Sequence, residues 1–195
     1  MKSPHLLTVI LPLVIFINTL STAQISPSGI GLAEPPSASL SNRAEAGARV
    51  LDFCRSRIGH RVGNGQCASL AVKALERAGA RGMGKDFPNP GDYVWGDFIT
   101  AVLAGRNQPG ARLDGIRGGD IIQFRNVRFA GRTPGGGTYW MQADHHTAIV
   151  ESADATGNTL HILHQNWNGN LTVRRDVLKL SDLSRGWLRI YRPVR

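Results

Sequence analysis

Gly63-Asn64-Gly65-Gln66-Cys67-Ala68-Ser69-Leu70-Ala71 is the stretch on which the reading of this chain turns. A glycine-rich turn delivers a cysteine onto the first residues of a helix. Leu70, Ala71, Ala74, Leu75 and Ala78 repeat there at helical spacing, and Gly79 or Gly82 ends it. Backbone N–H groups at a helix start have no partner within the helix, and the dipole is positive there. The pattern therefore predicts a thiol that ionises, and alkylates, below the range of a free cysteine. A thiol nucleophile also needs a base and a group to orient that base.

Helix signals also lie upstream of this turn. Asn42 with Glu45 reads as an N-terminal capping pair, and Ala44, Ala48, Leu51, Cys54 and Ile58 fall on one face. Cys54 on that stripe reads as a packed thiol, with a Cys54–Cys67 disulfide as the alternative in an oxidising compartment. Downstream, a loop from Gly82 to Gly91 leads into 92–99, read as a short third helix running to about Leu103. After Gly110 the pattern turns to strands: 120–124 continuing through 127–129, then 138–142, 146–152, 159–165, 171–178 and 187–191. Turn signals separate them at 131–137, 154–158 and 168–170. Helices first and a strand meander second predict an α+β fold, with N-terminal helices packed on an antiparallel sheet of about five to six strands.

The chain has 195 residues, 42% hydrophobic and 19% charged, which suits a globular domain with a sizeable core and excludes a disordered chain. Residues 1–23 read as a secretory signal peptide: Lys2, an apolar run from Leu6 to Ile17 broken by Pro12, then Ser21-Thr22-Ala23. Residues 24–40 read as a flexible Ser/Pro-rich linker and 41–195 as the thiol hydrolase domain. Lys2 is the sole charged residue of the first 23, so the net charge of +9 becomes +8 on processing. That charge predicts a secreted or periplasmic, cell-envelope protein held near peptidoglycan or another anionic surface polymer. The arginines are scattered and no nucleic-acid motif occurs, so nucleic acid is not expected. A monomer that leaves the membrane after cleavage is expected, without cofactor.

Four of the six histidines lie between positions 145 and 164. Successive strand residues point to opposite faces, so His145 and His146 diverge, as do His161 and His164, and a metal site is disfavoured. A hairpin about 154–158 instead sets His146 beside His164 and Asn166 on the next strand. An imidazole flanked by a polar side chain is what the thiol needs: the imidazole takes the proton and its neighbour fixes the tautomer.

Four motifs then occur in order: Gly65-Gln66-Cys67-Ala68-Ser69-Leu70-Ala71, Gly119-Asp120-Ile121-Ile122-Gln123-Phe124, His146-Thr147-Ala148-Ile149-Val150-Glu151 and His164-Gln165-Asn166-Trp167-Asn168-Gly169. Together, over roughly 45–192, they resemble the CHAP domain (cysteine, histidine-dependent amidohydrolase/peptidase) and the related NlpC-type cell-wall peptidases. The resemblance implies a papain-like fold and cleavage of peptide or amide bonds in peptidoglycan. It implies Cys67 as nucleophile, His146 as base, and His164 or Asn166 as the third polar member, His164 falling where CHAP proteins usually carry an acid. His145 stands where that pattern tends to have glycine. Gln66 would help the Cys67 N–H hold the oxyanion. Apart from the resemblance, Trp95, Trp140 and Trp167 read as core or hydrophobic-rim packing, with the wall of a substrate cleft as the other reading for Trp95 and Trp167. Two other readings stay open: a non-catalytic wall-binding module on this fold, and a thiol deamidase, acyltransferase or general peptidase.

Overall fold

Residues 67–78 are helical for the reason their spacing predicts. Leu70, Ala71, Ala74, Leu75 and Ala78 form one buried stripe, and Gly79, at φ 63°, closes the helix with its N–H bonded back to the Glu76 carbonyl. The structure, a computed structural model, describes residues 36–85, 91–105 and 113–195, all within one unit, Glu34–Arg195. The expected signal peptide and most of the expected linker lie outside the described residues. No described helix is long and apolar enough to cross a membrane.

Helix α1 spans Pro36–Ser56 and α2 spans Cys67–Ala78. The first begins inside the stretch read as linker, ahead of the Asn42 cap. Proline's fixed φ suits the first turn of a helix, so Pro36 starts the element that its composition argued against. The buried stripe of α1 is Ala46, Val50 and Cys54, with Ala48 exposed, so the helix is rotated from the expected face.

The strands are β1 (Gly84–Lys85), β2 (Tyr93–Val94), β3 (Asp97–Leu103), β4 (Ile121–Arg132), β5 (Thr138–Ala153), β6 (Thr159–His164), β7 (Arg174–Lys179) and β8 (Leu183–Arg192). The first two pair with each other. The rest form a six-stranded antiparallel sheet in the order β3-β8-β4-β5-β6-β7. The third helix expected over 92–103 is absent: that stretch is β2 and the edge strand β3. Thr100, Val102 and Ile99 are β-branched, and pairing with the distant β8 gives them a ladder no local signal announces.

The sheet is apolar on both faces. Ile121, Ile149, Leu163 and Tyr191 meet the stripes of α1 and α2. Ile122, Phe124, Ala148, Val150, Leu188 and Ile190 build a second core on the opposite face. Alternation along β5 therefore assigns Thr147 and Ile149 to the helix side, and His146, Ala148 and Val150 to the other. Asp120, at the head of β4, accepts from Arg117 N–H (3.0 Å) and from Arg192 Nε and Nη2 (3.0 and 2.9 Å), tying β4 to β8.

Candidate active site at the start of helix α2

The glycine turn is held from across the molecule. The buried Gln165 accepts from Val62 N–H at 3.0 Å and donates to the carbonyls of Val62 (2.9 Å) and Gln66 (2.8 Å). Gln66, extended at φ −70° and ψ 148°, is the N-cap residue, so Cys67 opens the helix as its sequence predicts. Both cysteines are free thiols: Cys54 is buried in the α1 stripe and Cys67 is half-buried.

Burial pushes the Cys67 thiol above its ordinary pKa, outweighing N–H donors from Thr147, Ala68 and Cys67 itself and the Thr147 hydroxyl, all of which favour the thiolate. The readily ionised thiol expected from the helix start is thus corrected. The dipole and donors are present, but desolvation is larger. The partner of the sulfur on β5 is Thr147. Among the described residues no hydrogen bond joins Cys67 to His146. Thr147 stands on the helix side of β5 with Cys67, and His146, the preceding residue of the chain, turns its side chain to the other face.

His146 is buried, with Phe124 at 5.7 Å and Trp167 edge-on at 4.4 Å between ring centroids. Its Nε2 lies 3.0 Å from His164 Nδ1, and His164 Nε2 lies 3.2 Å from Asp176 Oδ2. The chain His146–His164–Asp176 supplies the acid that sequence reading found missing. Asp176 sits on β7, where Ile162 faces Asp176 and His164 faces Arg174. The carboxylate is acceptor-only, so the order of protons follows: His164 Nε2–H donates to Asp176, His146 Nε2–H donates to His164 Nδ1, and His146 Nδ1 is left with a lone pair. Arg174 Nε, 3.4 Å from His164 Nε2, competes over a longer contact. Burial, then electrostatic repulsion from the His164 and Arg174 side, holds His146 well below the usual histidine range, so it rests neutral. The hydrogen bond from His164 holds Asp176 below the usual carboxylate range.

Asn166, at φ 57°, donates from Nδ2 to Gln66 Oε1 at 2.8 Å; it therefore meets the residue before the nucleophile rather than His146. Trp95 is fully buried and donates to Gln123 Oε1 at 3.0 Å, and Trp167 is 3% exposed beneath His146. Neither presents a face to a ligand, so both are packing residues, and the cleft-wall role considered for them is corrected. His145 is set apart from His146 on the other side of β5, against Asp92 and Arg125, while His161 is exposed.

Residues 33–195 match the family described as the AIM3/BBC1 cysteine proteinase-fold domain. The chain belongs to this family. A papain-like cysteine proteinase fold follows for it, while the narrower CHAP or NlpC assignment does not. Altered inheritance of mitochondria protein 3 of Debaryomyces hansenii is 28% identical over 160 residues, covering 80% of this chain and 16% of that protein. The chain thus spans about a sixth of this curated relative of the family. Two solved structures, Ly7917 alone and Ly7917 with the hydrolyzing product of MDP, are 21% and 22% identical. Each has a TM-score of 0.43 and covers 75% of this chain, against 62% and 63% of its own.

The buried thiols set an alkaline limit on stability. Burial pushes Cys54 up to about 12, so the folded chain keeps a proton that the unfolded chain loses above about 8.5. The unfolded state then binds fewer protons, and stability falls as pH rises through that window, by roughly 1.4 kcal/mol per pH unit for this group. Urea unfolding between pH 7.5 and 10 should show the decline, and Cys54→Ala should flatten it whatever its cost at neutral pH. An unchanged slope in the variant would assign the decline elsewhere. On the acid side the sign reverses: the depressed His146 takes up a proton only on unfolding, so stability is lost as pH falls below about 6.5.

Proposed function

We propose that the chain is a thiol hydrolase of peptide or amide bonds, with Cys67 as nucleophile and His146 as general base. The observation that supports this reading is the buried relay His146–His164–Asp176, which orders the His146 protons one residue along β5 from Thr147, whose N–H and hydroxyl meet the Cys67 sulfur. The resting pair is a neutral thiol and a neutral imidazole, not an ion pair. As the thiol attacks a carbonyl carbon, His146 Nδ1 takes its proton, and the imidazolium so formed is stabilised through His164 by the Asp176 carboxylate. The carbonyl oxygen becomes an oxyanion next to the Cys67 N–H and the Gln66 side-chain amide, whose oxygen is occupied by Asn166 so that its N–H₂ is turned outward. His146 returns the proton to the leaving amine, and water reverses the sequence on the thioester.

Peptidoglycan, or another acidic polymer bearing amide bonds, is the substrate class that the net charge of +9 favours, and export through 1–23 belongs to the same proposal. The test is to quench the chain during incubation with purified peptidoglycans and with a general peptide library, and to search the Cys67 peptide by mass spectrometry. A thioester adduct there, with release of amine-terminated fragments, is the expected result. Iodoacetamide should label Cys67 appreciably only near or above pH 8.5, because burial raises the thiol. Retention of a polymer without adduct or product would place the chain among binding modules instead.

A further inference from the structure

A surface pocket of about 480 Å³ lies between the end of α1, the glycine turn and the outer face of α2, and takes no part in the chemistry above. Small-molecule sites occupy about 300–1,000 Å³, so this one is of ligand size. Its charged lining is Arg57, Arg61, Lys73, Glu76 and Arg77, four cations against one acid. Lys73 Nζ pairs with Glu76 Oε2 at 2.8 Å, which leaves the three arginines. None of the three has a carboxylate partner among the described residues, whereas Arg49 and Arg55 of α1 reach Glu45 and Glu151.

Two of these arginines are held in place without being neutralised. The Arg57 guanidinium carbon lies 5.2 Å from the centroid of the Phe53 ring, whose face attracts a cation and orients its plane. Arg61 Nη2 donates to the Asn64 carbonyl at 2.6 Å. A methyl group on Gly65 would come within 3.0 Å of Arg61 Nε, so this side chain lies along the glycine turn. Arg77 stands one turn after Lys73 on α2, and a like-charge pair at that spacing destabilises a helix. The fold gains nothing in return, since neither residue belongs to the buried stripe of α2. An anion in the pocket replaces this mutual repulsion with attraction.

The donors say which anion. A guanidinium presents parallel N–H groups to a pair of oxygens. A carboxylate is planar, and all its oxygens lie in that one plane. A terminal phosphate offers three strong acceptor oxygens in a tetrahedral array and a charge of about −1.5 to −2, so guanidinium forks can meet it from several directions. Arg57 follows α1, Arg61 precedes the glycine turn and Arg77 lies on α2, which suits the tetrahedral group. We infer that this pocket is a binding site for a molecule bearing a terminal phosphate, gripped by Arg57, Arg61 and Arg77. The inference does not rest on the hydrolase reading, because none of these arginines belongs to the relay or is a partner of the Cys67 sulfur.

The test is calorimetric titration with pyrophosphate, which carries two terminal phosphates, against citrate, which has a similar charge at pH 7. Wild type should bind pyrophosphate about tenfold tighter than citrate, and Arg57→Gln combined with Arg77→Gln should weaken pyrophosphate about tenfold or more. Both arginines are exposed, so the variant should keep its fold, which its melting curve checks. Arg128→Gln combined with Arg132→Gln removes the same charge from the β4–β5 hairpin and should leave binding unchanged. ¹H–¹⁵N spectra of wild type should confine the pyrophosphate shifts to 57–65 and 73–77. Equal losses in the two double variants would mean attraction to net charge alone and overturn the site. Equal affinity for pyrophosphate and citrate, shifts elsewhere or no binding would overturn it too. Vesicles containing phosphatidic acid offer the same terminal phosphate on a lipid. Sedimentation with them that is lost in the Arg57 and Arg77 variant assigns the phosphate to a lipid headgroup, and pyrophosphate binding without it assigns a soluble ligand.

Discussion

Asp176→Asn should lower kcat of the proposed hydrolysis on the order of 10³-fold with little change in KM, while Cys67→Ala takes turnover to background. Proton order, rather than charge alone, decides the effect. The Asp176 carboxylate can only accept, so it holds the His164 proton on Nε2, His164 Nδ1 accepts from His146 Nε2–H, and His146 Nδ1 keeps the lone pair that the proposed mechanism uses. An asparagine can turn its N–H₂ to His164 Nε2. That puts the His164 proton on Nδ1, makes His146 Nε2 the acceptor and leaves His146 Nδ1 protonated, so the proposed base has no lone pair to take the thiol proton. The Asp176 side chain keeps 35% of its surface exposed, so the fold should tolerate the change. ¹⁵N shifts of the two imidazoles would report the tautomers directly. A variant with reversed tautomers and wild-type kcat would remove His146 from the mechanism, and unchanged tautomers would remove Asp176.

That relay also shows what the sequence could and could not give away. The α2 stripe was legible because its five buried positions repeat at a purely local spacing, and Gly79 marks its end. The meeting of His146 with His164 was legible because a single short turn fixes the β5–β6 pairing. Asp176 was not, because its place depends on how many residues the turn after Trp167 absorbs before β7 pairs, and nothing local sets that count. The same limit hid β3, whose ladder partner β8 is distant in sequence. The thiol was misjudged for a different reason. The helix start, a local feature, argues for a low pKa, whereas the burial that overrides it is set by how Cys67 packs beside Thr147. The split of His145 from His146 could be read from alternation, and its consequence, a second polar row on the Cys67 side, needed only the face of β5 to be known.

Gly119→Ala should destabilise the fold by roughly 3 kcal/mol or more, the largest stability effect of any alanine substitution proposed for this chain. Gly119 has φ +89°, which costs an L-residue about 1–2 kcal/mol by itself. The larger part is steric. A methyl group there would lie 2.0 Å from the Gly47 carbonyl oxygen, 2.5 Å from its carbon and 2.7 Å from its Cα. All three are backbone atoms of α1, so no side-chain rotation relieves the clash and the helix itself must lift. It cannot do so locally: Gly119 N–H is bonded to the Val150 carbonyl at 2.9 Å, and on the α1 side Ala46, Val50 and Cys54 are fully buried against the sheet. For a domain of this size the loss corresponds to a fall in Tm of about 6–12 °C. Gly135→Ala is the control, since a methyl group there meets nothing within 4 Å and its φ is not in the left-handed region. Matching melting temperatures for the two variants would mean that α1 does not rest on the Gly119 backbone, and the helix-side core that carries Cys67 would need another anchor.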